Sequence, residues 1–209
     1  MVYKLDYIDI NKIPSQVLDL LPHAENMYLL KEQKDWDSCG LASLQATLML
    51  QFGRVVGQEE LDEIKTRITG RGVKEEGGIG ARGIKMLLKE QENSGNVPPL
   101  YVIHTNTGNV SQLEMLTREG YIPTINRPWK HEDNSSKENH YELVMGFNRD
   151  YAFCFNPACE QEQHFHRIRC SRMYEFWGCE GRSWYIAAVP SAKVGKLLPE
   201  LRLRGYRKK

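Results

Sequence analysis

Four residues have types and positions that fit one chemistry: Gln33, Cys39, His140 and Asn156. Cys39 precedes Gly40 and stands where a long amphipathic helix is expected to begin. The positive end of a helix dipole and its first-turn amides stabilise a thiolate there. A small buried cysteine at a helix start is the plainer reading. Asp35 and Asp37 lie nearby in sequence, and negative charge raises a thiol's pKa. His140 follows the polar segment Lys130–Asn139 and opens an expected strand, where an imidazole can face a cleft and act as a base. Asn156 ends the next expected strand. Two antiparallel strands joined by a short turn would bring it beside His140, to accept the second N–H of the ring. An ordinary Asn-Pro turn is the competing reading. Gln33 lies six residues before Cys39. Its amide can donate to an oxyanion together with the Cys39 backbone N–H; a solvent-facing loop glutamine is the alternative. His23, His104 and His131 have weaker settings.

The elements that must position these residues can be read from periodicity. Leu41, Leu44, Leu48 and Phe52 have helical spacing, which predicts a helix over Cys39–Gln51, N-capped by Ser38 or Asp37 and ended by Gly53. Further helices are expected at Ser15–Leu21, Gln58–Ile68, Ala81–Glu90 and Val110–Arg118. Gly70, Gly72, Gly77, Gly78 and Gly80 mark a flexible loop that matches neither a phosphate loop nor a dinucleotide fingerprint. Strands are expected at Leu100–His104, Tyr121–Ile125, Tyr141–Phe147, Ala152–Phe155 and Trp184–Val189, with a turn at Asn148–Asp150. A helical first half followed by a sheet-rich second half gives an α+β class with the two segregated.

The 209 residues suffice for one domain with a proper core, without a disulfide or metal staple. That domain is expected over 1–190. The remaining 191–209 carry seven Lys/Arg against one Glu and read as a solvated, partly frayed basic tail able to touch an acidic partner. The whole chain has a formal charge of +1, so a global field for nucleic acid is excluded and no nucleic-acid partner is expected. No apolar run approaches 18 residues, and the first eleven residues have no signal-peptide core. The five cysteines are an odd, scattered set, which points to a reducing, cytoplasmic setting and at least one free thiol. Asn109-Val-Ser111 and Asn134-Ser-Ser136 match the glycosylation pattern, as short motifs often do by chance.

Cys154, Cys159, His164, His166, Cys170 and Cys179 fall within 26 residues. The core of that cluster, Cys159-x4-His164-x-His166-x3-Cys170, offers four ligands for zinc. Its spacing matches no standard finger and lacks a Cys-x2-Cys knuckle. The expectation is therefore no metal and no cofactor. Cys154 reads as core, and His164 with His166 as one face of a surface strand.

Gln33-Lys-Asp-Trp-Asp-Ser-Cys39-Gly-Leu-Ala-Ser-Leu44 resembles the nucleophile block of the bacteriocin-processing peptidases and their free-standing relatives. These are papain-like cysteine peptidases, many of which act on double-glycine leader peptides. The match holds at Gln33, Cys39, Gly40, Ala42 and Leu44. His140-Tyr-Glu-Leu-Val-Met-Gly-Phe147 is similar to the family's histidine strand. Asn156-Pro157-Ala158 is similar to its Asp-Pro-Ala block, with Asn in place of the usual Asp. Phe176-Trp177-Gly178 and Trp184–Val189 are similar to its closing segment. The resemblance spans about 31–190, and no transporter domain is expected to follow.

The resemblance implies a papain-like fold and a peptide or protein substrate. It implies Cys39 as nucleophile, His140 as base, Asn156 as its orienting partner and Gln33 at the oxyanion. The same thioacyl intermediate would also serve an acyl or amide transferase or a glutamine deamidase. A non-catalytic peptide-binding module and a zinc-stabilised adaptor are the rival classes. The glycine-rich loop 70–80 and the polar loop 126–139 are expected to rim the cleft.

Overall fold

The computed structural model describes residues 6–35, 37–129, 138–158, 164–173, 177 and 183–206. Seven strands of the described residues form one sheet: β1 (Asp6–Tyr7), β2 (Leu100–Thr105), β3 (Thr124–Trp129), β4 (Glu138–Phe147), β5 (Tyr151–Phe155), β6 (Phe165–Arg169) and β7 (Tyr185–Pro190). Their order is β1-β6-β5-β4-β3-β7-β2, with every adjacent pair antiparallel. Among the described residues the α-helices are α1 (Ser15–Leu18), α2 (Cys39–Phe52), α3 (Gln58–Thr69), α4 (Ala81–Asn93), α5 (Val110–Arg118) and α6 (Ser191–Leu203). The expected α+β class holds.

α2 is the central helix. Leu41, Leu44 and Leu48 bury one side of it against Tyr141, Ile186 and Ala188 of the sheet, while Ala46, Met49 and Leu50 meet Leu143 and Met145. Nearly every α2 side chain is buried, so the polar ones take buried partners. Ser43 donates to the Tyr141 carbonyl at 3.2 Å, and the Gln51 amide donates to the Ala188 carbonyl at 2.6 Å. Gly53 ends α2 at φ +67°, a left-handed conformation that glycine adopts without penalty. On the other face of the sheet, Val144, Cys154 and Ile125 pack with Leu113 and Leu116 of α5 and Leu197 and Leu201 of α6.

Several expected boundaries move. The strand expected at Tyr121–Ile125 begins at Thr124 and runs on to Trp129, because Ile122 donates its backbone N–H to the Gln51 side chain and not to a neighbouring strand. The 126–139 stretch is therefore partly hairpin, with Arg127 opposite His140 in register; 130–137, with His131, lie outside the described residues.

The segment read as a solvated tail is corrected. Residues Ser191–Leu203 are helical, and Leu197, Leu201 and Tyr206 are buried. Val194, Leu197, Leu198 and Leu201 form an i, i+3, i+4, i+7 stripe that the basic composition masked. Asn109 is likewise committed to the fold. Its Oδ1 accepts from the Gln112 backbone N–H at 3.0 Å, and its amide donates to the Arg204 carbonyl at 2.6 Å, tying the start of α5 to the end of α6.

Candidate active site

Cys39 is the first residue of α2 and is almost fully buried. Ser38 is the N-cap, yet its hydroxyl does not cap the helix. It donates instead to Asp35 Oδ1 at 2.6 Å, and the same oxygen accepts from the Asp37 backbone N–H at 3.2 Å. The Asp35 carboxylate is thus held by the loop's own donors, and the first-turn amides of α2 remain for the thiol. Burial pushes the Cys39 thiol above its ordinary pKa. Backbone amides of Tyr141, Gly40 and Cys39 itself pull it back, and Asp37 adds a lesser upward push. The helix-start donors expected from sequence are present, but burial outweighs them.

Gly40 is required at this contact. A Cβ on it would sit 2.3 Å from Ile79 Cγ2 and 3.1 Å from the Ile79 carbonyl oxygen. The end of the glycine-rich 70–80 segment therefore lies directly on the start of α2. The buried ammonium of Lys65 holds that segment, donating to the Arg71 and Gly72 carbonyls at 2.9 and 3.2 Å and pairing with Glu76 at 2.8 Å.

His140 and Asn156 meet as expected, with Nε2 of the ring 2.8 Å from Asn156 Oδ1. The Ala158 backbone N–H donates to the same Oδ1 at 2.9 Å. A backbone N–H only donates, so that atom is the acceptor oxygen, and Nε2 of His140 must carry the proton. The neutral ring is then basic at Nδ1. Burial drives the His140 pKa down to about 4; Glu142 raises it, Arg127 lowers it, and the Asn156 bond raises it. With a raised thiol and a lowered imidazole, the resting chain holds a neutral pair at neutral pH. Cys39 nevertheless reaches the histidine strand, since its thiol lies against the amide of Tyr141, the residue after His140.

Gln33 joins the same group through the backbone. Its N–H donates to the Pro157 carbonyl at 2.7 Å, which places it beside the Asn156 turn. One side-chain amide hydrogen donates to the Asp35 carbonyl at 2.9 Å. Gln58, at the start of α3, braces this loop: its Oε1 accepts from the Lys34 N–H at 3.0 Å and its amide donates to the Glu32 carbonyl at 2.9 Å.

The sequence reading missed a buried ionic group next to His140. Glu142 is fully buried on β4, and its Oε1 accepts from Arg127 Nε at 2.6 Å and from a second Arg127 nitrogen. His140 Nε2 is 3.7 Å from that Oε1, and His166 Nε2 is 3.2 Å from Oε2. Burial pushes the Glu142 carboxyl up, but Arg127, then His166 and His140, hold it far below the usual range. A signal was present: a lone acid two residues after His140 in an apolar strand must share its face. His164 and His166 do lie on a strand or at its start, but the expected surface exposure is wrong, for both are buried. Cys154 is core, as expected. Among the described residues, no three His, Cys, Asp or Glu side chains are grouped to hold a metal; Cys159 and Cys179 lie outside them.

Neither a family model nor a curated protein matches the sequence. Solved structures do resemble the fold. The peptidase domain of Streptococcus ComA, a bi-functional ABC transporter of a quorum-sensing pathway, matches with a TM-score of 0.55. Identity there is 18 %, over 78 % of this chain and 98 % of that one. A putative C39-like peptidase from Bacillus anthracis matches with a TM-score of 0.55 and 12 % identity, over 77 % and 93 % of the two chains. A double-glycine motif protease from an AMS/PCAT transporter, solved with a leader peptide, matches with a TM-score of 0.50. Its identity is 18 %, over 78 % and 91 %. At these identities the likeness is one of fold: the chain has the papain-like architecture of C39 peptidase domains, in line with the resemblance seen in the sequence. Among the described residues, no helix is long and apolar enough to cross a membrane.

Proposed function

We propose that the protein is a papain-like cysteine peptidase that hydrolyses a peptide or amide bond through a thioacyl intermediate on Cys39. The observation that carries this reading is the contact of His140 with Asn156 at 2.8 Å, His140 lying on the strand whose Tyr141 amide meets the Cys39 thiol. Because Asn156 fixes the proton on Nε2, Nδ1 of His140 is the atom that takes the Cys39 proton. The resting pair is neutral, so proton transfer accompanies sulfur attack on the carbonyl carbon. The Cys39 backbone N–H and the Gln33 amide then stabilise the oxyanion. The imidazolium returns its proton to the leaving amine as the C–N bond breaks. Water, deprotonated by Nδ1, releases the acid and the thiol.

The substrate class proposed is an extended peptide, by likeness to the double-glycine protease solved with its leader. An amine in place of water would make the same site a transferase, and a glutamine side chain as substrate would make it a deamidase. The raised thiol pKa favours one rival, a peptide-binding module without turnover.

A peptide library digested by the protein and read by mass spectrometry tests the reading. Cleavage should fall by about 10³-fold or more in Cys39→Ala and in His140→Ala. Undiminished cleavage in Cys39→Ala would overturn the mechanism. Stoichiometric peptide capture, equal in wild type and Cys39→Ala and without cleavage, would establish the binding module instead.

A further inference from the structure

We propose that Glu142 is a positioning residue for His140, its buried carboxylate serving as the counter-charge for the imidazolium that forms when the ring takes the thiol proton. This rests on the reading of His140 as the base.

The geometry is specific. Glu142 Oε1 stands between the Arg127 guanidinium and His140 Nε2, at 2.6 Å from Arg127 Nε and 3.7 Å from the ring nitrogen. Oε2 faces His166. The Nε2 proton is donated to Asn156 Oδ1, and Glu142 Oε1, at 3.7 Å, acts on the ring as a neighbouring charge and not as a hydrogen-bond acceptor. The charged and titratable groups that act on the ring come from three elements: Glu142 on β4, Arg127 on β3 and His166 on β6. Asn156 contributes a neutral dipole.

A buried imidazole that must become a cation needs a fixed negative charge, since water is excluded from it. A carboxylate within 4 Å supplies that charge. Arg127 has the opposite duty: it keeps Glu142 ionised in the apolar sheet and limits how strongly the carboxylate holds a proton on the ring. Packing alone does not call for a charged pair here, because apolar residues of similar volume often serve a core as well or better. The placement of both charges beside His140 is what the functional role explains.

The test is the titration of the His140 ring by NMR on 13C-histidine-labelled full-length protein, from pH 3 to 8. Wild type is compared with Glu142→Gln, Arg127→Met and the double variant Arg127→Met/Glu142→Leu. The wild-type midpoint is expected at about 4. Glu142→Gln should lower it by about 1 pH unit or more, and Arg127→Met should raise it. Opposite shifts from two halves of one ion pair are not what a merely structural role produces. Either single variant leaves a buried charge unpaired and can fail to fold. The double variant leaves none, and its midpoint should also fall, because Glu142 outweighs Arg127 at the ring.

Peptide cleavage is followed alongside. Its acid limb should move with the NMR midpoint, and its plateau should fall about tenfold or more in Glu142→Gln and in the double variant. A folded variant lacking Glu142 with an unmoved His140 midpoint overturns the proposal while leaving the peptidase reading intact. Cleavage that persists in His140→Ala overturns the reading of His140 as base, whatever the titration shows.

Discussion

The depressed pKa of His140 makes the fold's stability depend on pH in a defined window. The free imidazole titrates near 6.5 and the folded one near 4. Between those values the unfolded chain binds a proton that the native ring refuses, so stability falls as pH falls from about 6.5 to about 4 and levels off below. A shift of this size corresponds to about 3 kcal/mol, of which about 2 to 3 kcal/mol is lost by pH 4.5. Glu142 works in the same direction but lower down: its carboxyl is held far below its ordinary value, so its stabilisation is lost only as pH drops beneath about 4.5. The interval from 6.5 to 4.5 therefore separates the imidazole from Glu142. Urea unfolding at pH 7.0, 6.0, 5.0 and 4.5 measures it, with His140→Gln as the comparison. Contributions common to both proteins cancel in the difference of slopes. Wild type should lose about 2 kcal/mol more than His140→Gln across the interval. Parallel slopes would refute the claim that the native ring is held neutral by burial.

Other perturbations have equally definite outcomes. Gly40→Ala places a Cβ 2.3 Å from Ile79 Cγ2 and 3.1 Å from its carbonyl oxygen, so thermal unfolding should show a loss of about 1–3 kcal/mol, with weaker cleavage as Ile79 is displaced. Asn156→Ala removes the acceptor shared by His140 and Ala158, and peptide cleavage should fall about 10²-fold through misorientation of the ring. Asn156→Asp keeps both acceptor contacts and adds negative charge beside Nε2; its pH–activity profile should show the acid limb moved upward. Leu201→Ala, at a fully buried position of α6, should cost about 2–5 kcal/mol in denaturant unfolding. A solvated tail would show almost no change.

Local sequence was sufficient for whatever depends on neighbours along the chain. The span and end of α2, the helix Val110–Arg118 and the strands around His140 and Asn156 follow from apolar spacing, a glycine stop and turn residues. The pairing of His140 with Asn156 was legible for the same reason: a short turn at Asn148–Asp150 makes the two strands neighbours, and register does the rest. Other features depended on what lies across the sheet. Whether a basic C-terminal segment frays or packs depends on whether the far face of the sheet needs covering, and α6 covers it with Leu197 and Leu201. Whether His164 and His166 face water depends on the strands beside β6. Above all, the ionisation of the candidate pair was beyond local reading. Residue order places Cys39 at a helix start and His140 at a strand, but desolvation sums over every element packed around them. Only the assembled core shows that burial raises the thiol, lowers the imidazole and brings Arg127 and Glu142, fifteen residues apart, into one buried ion pair beside the ring.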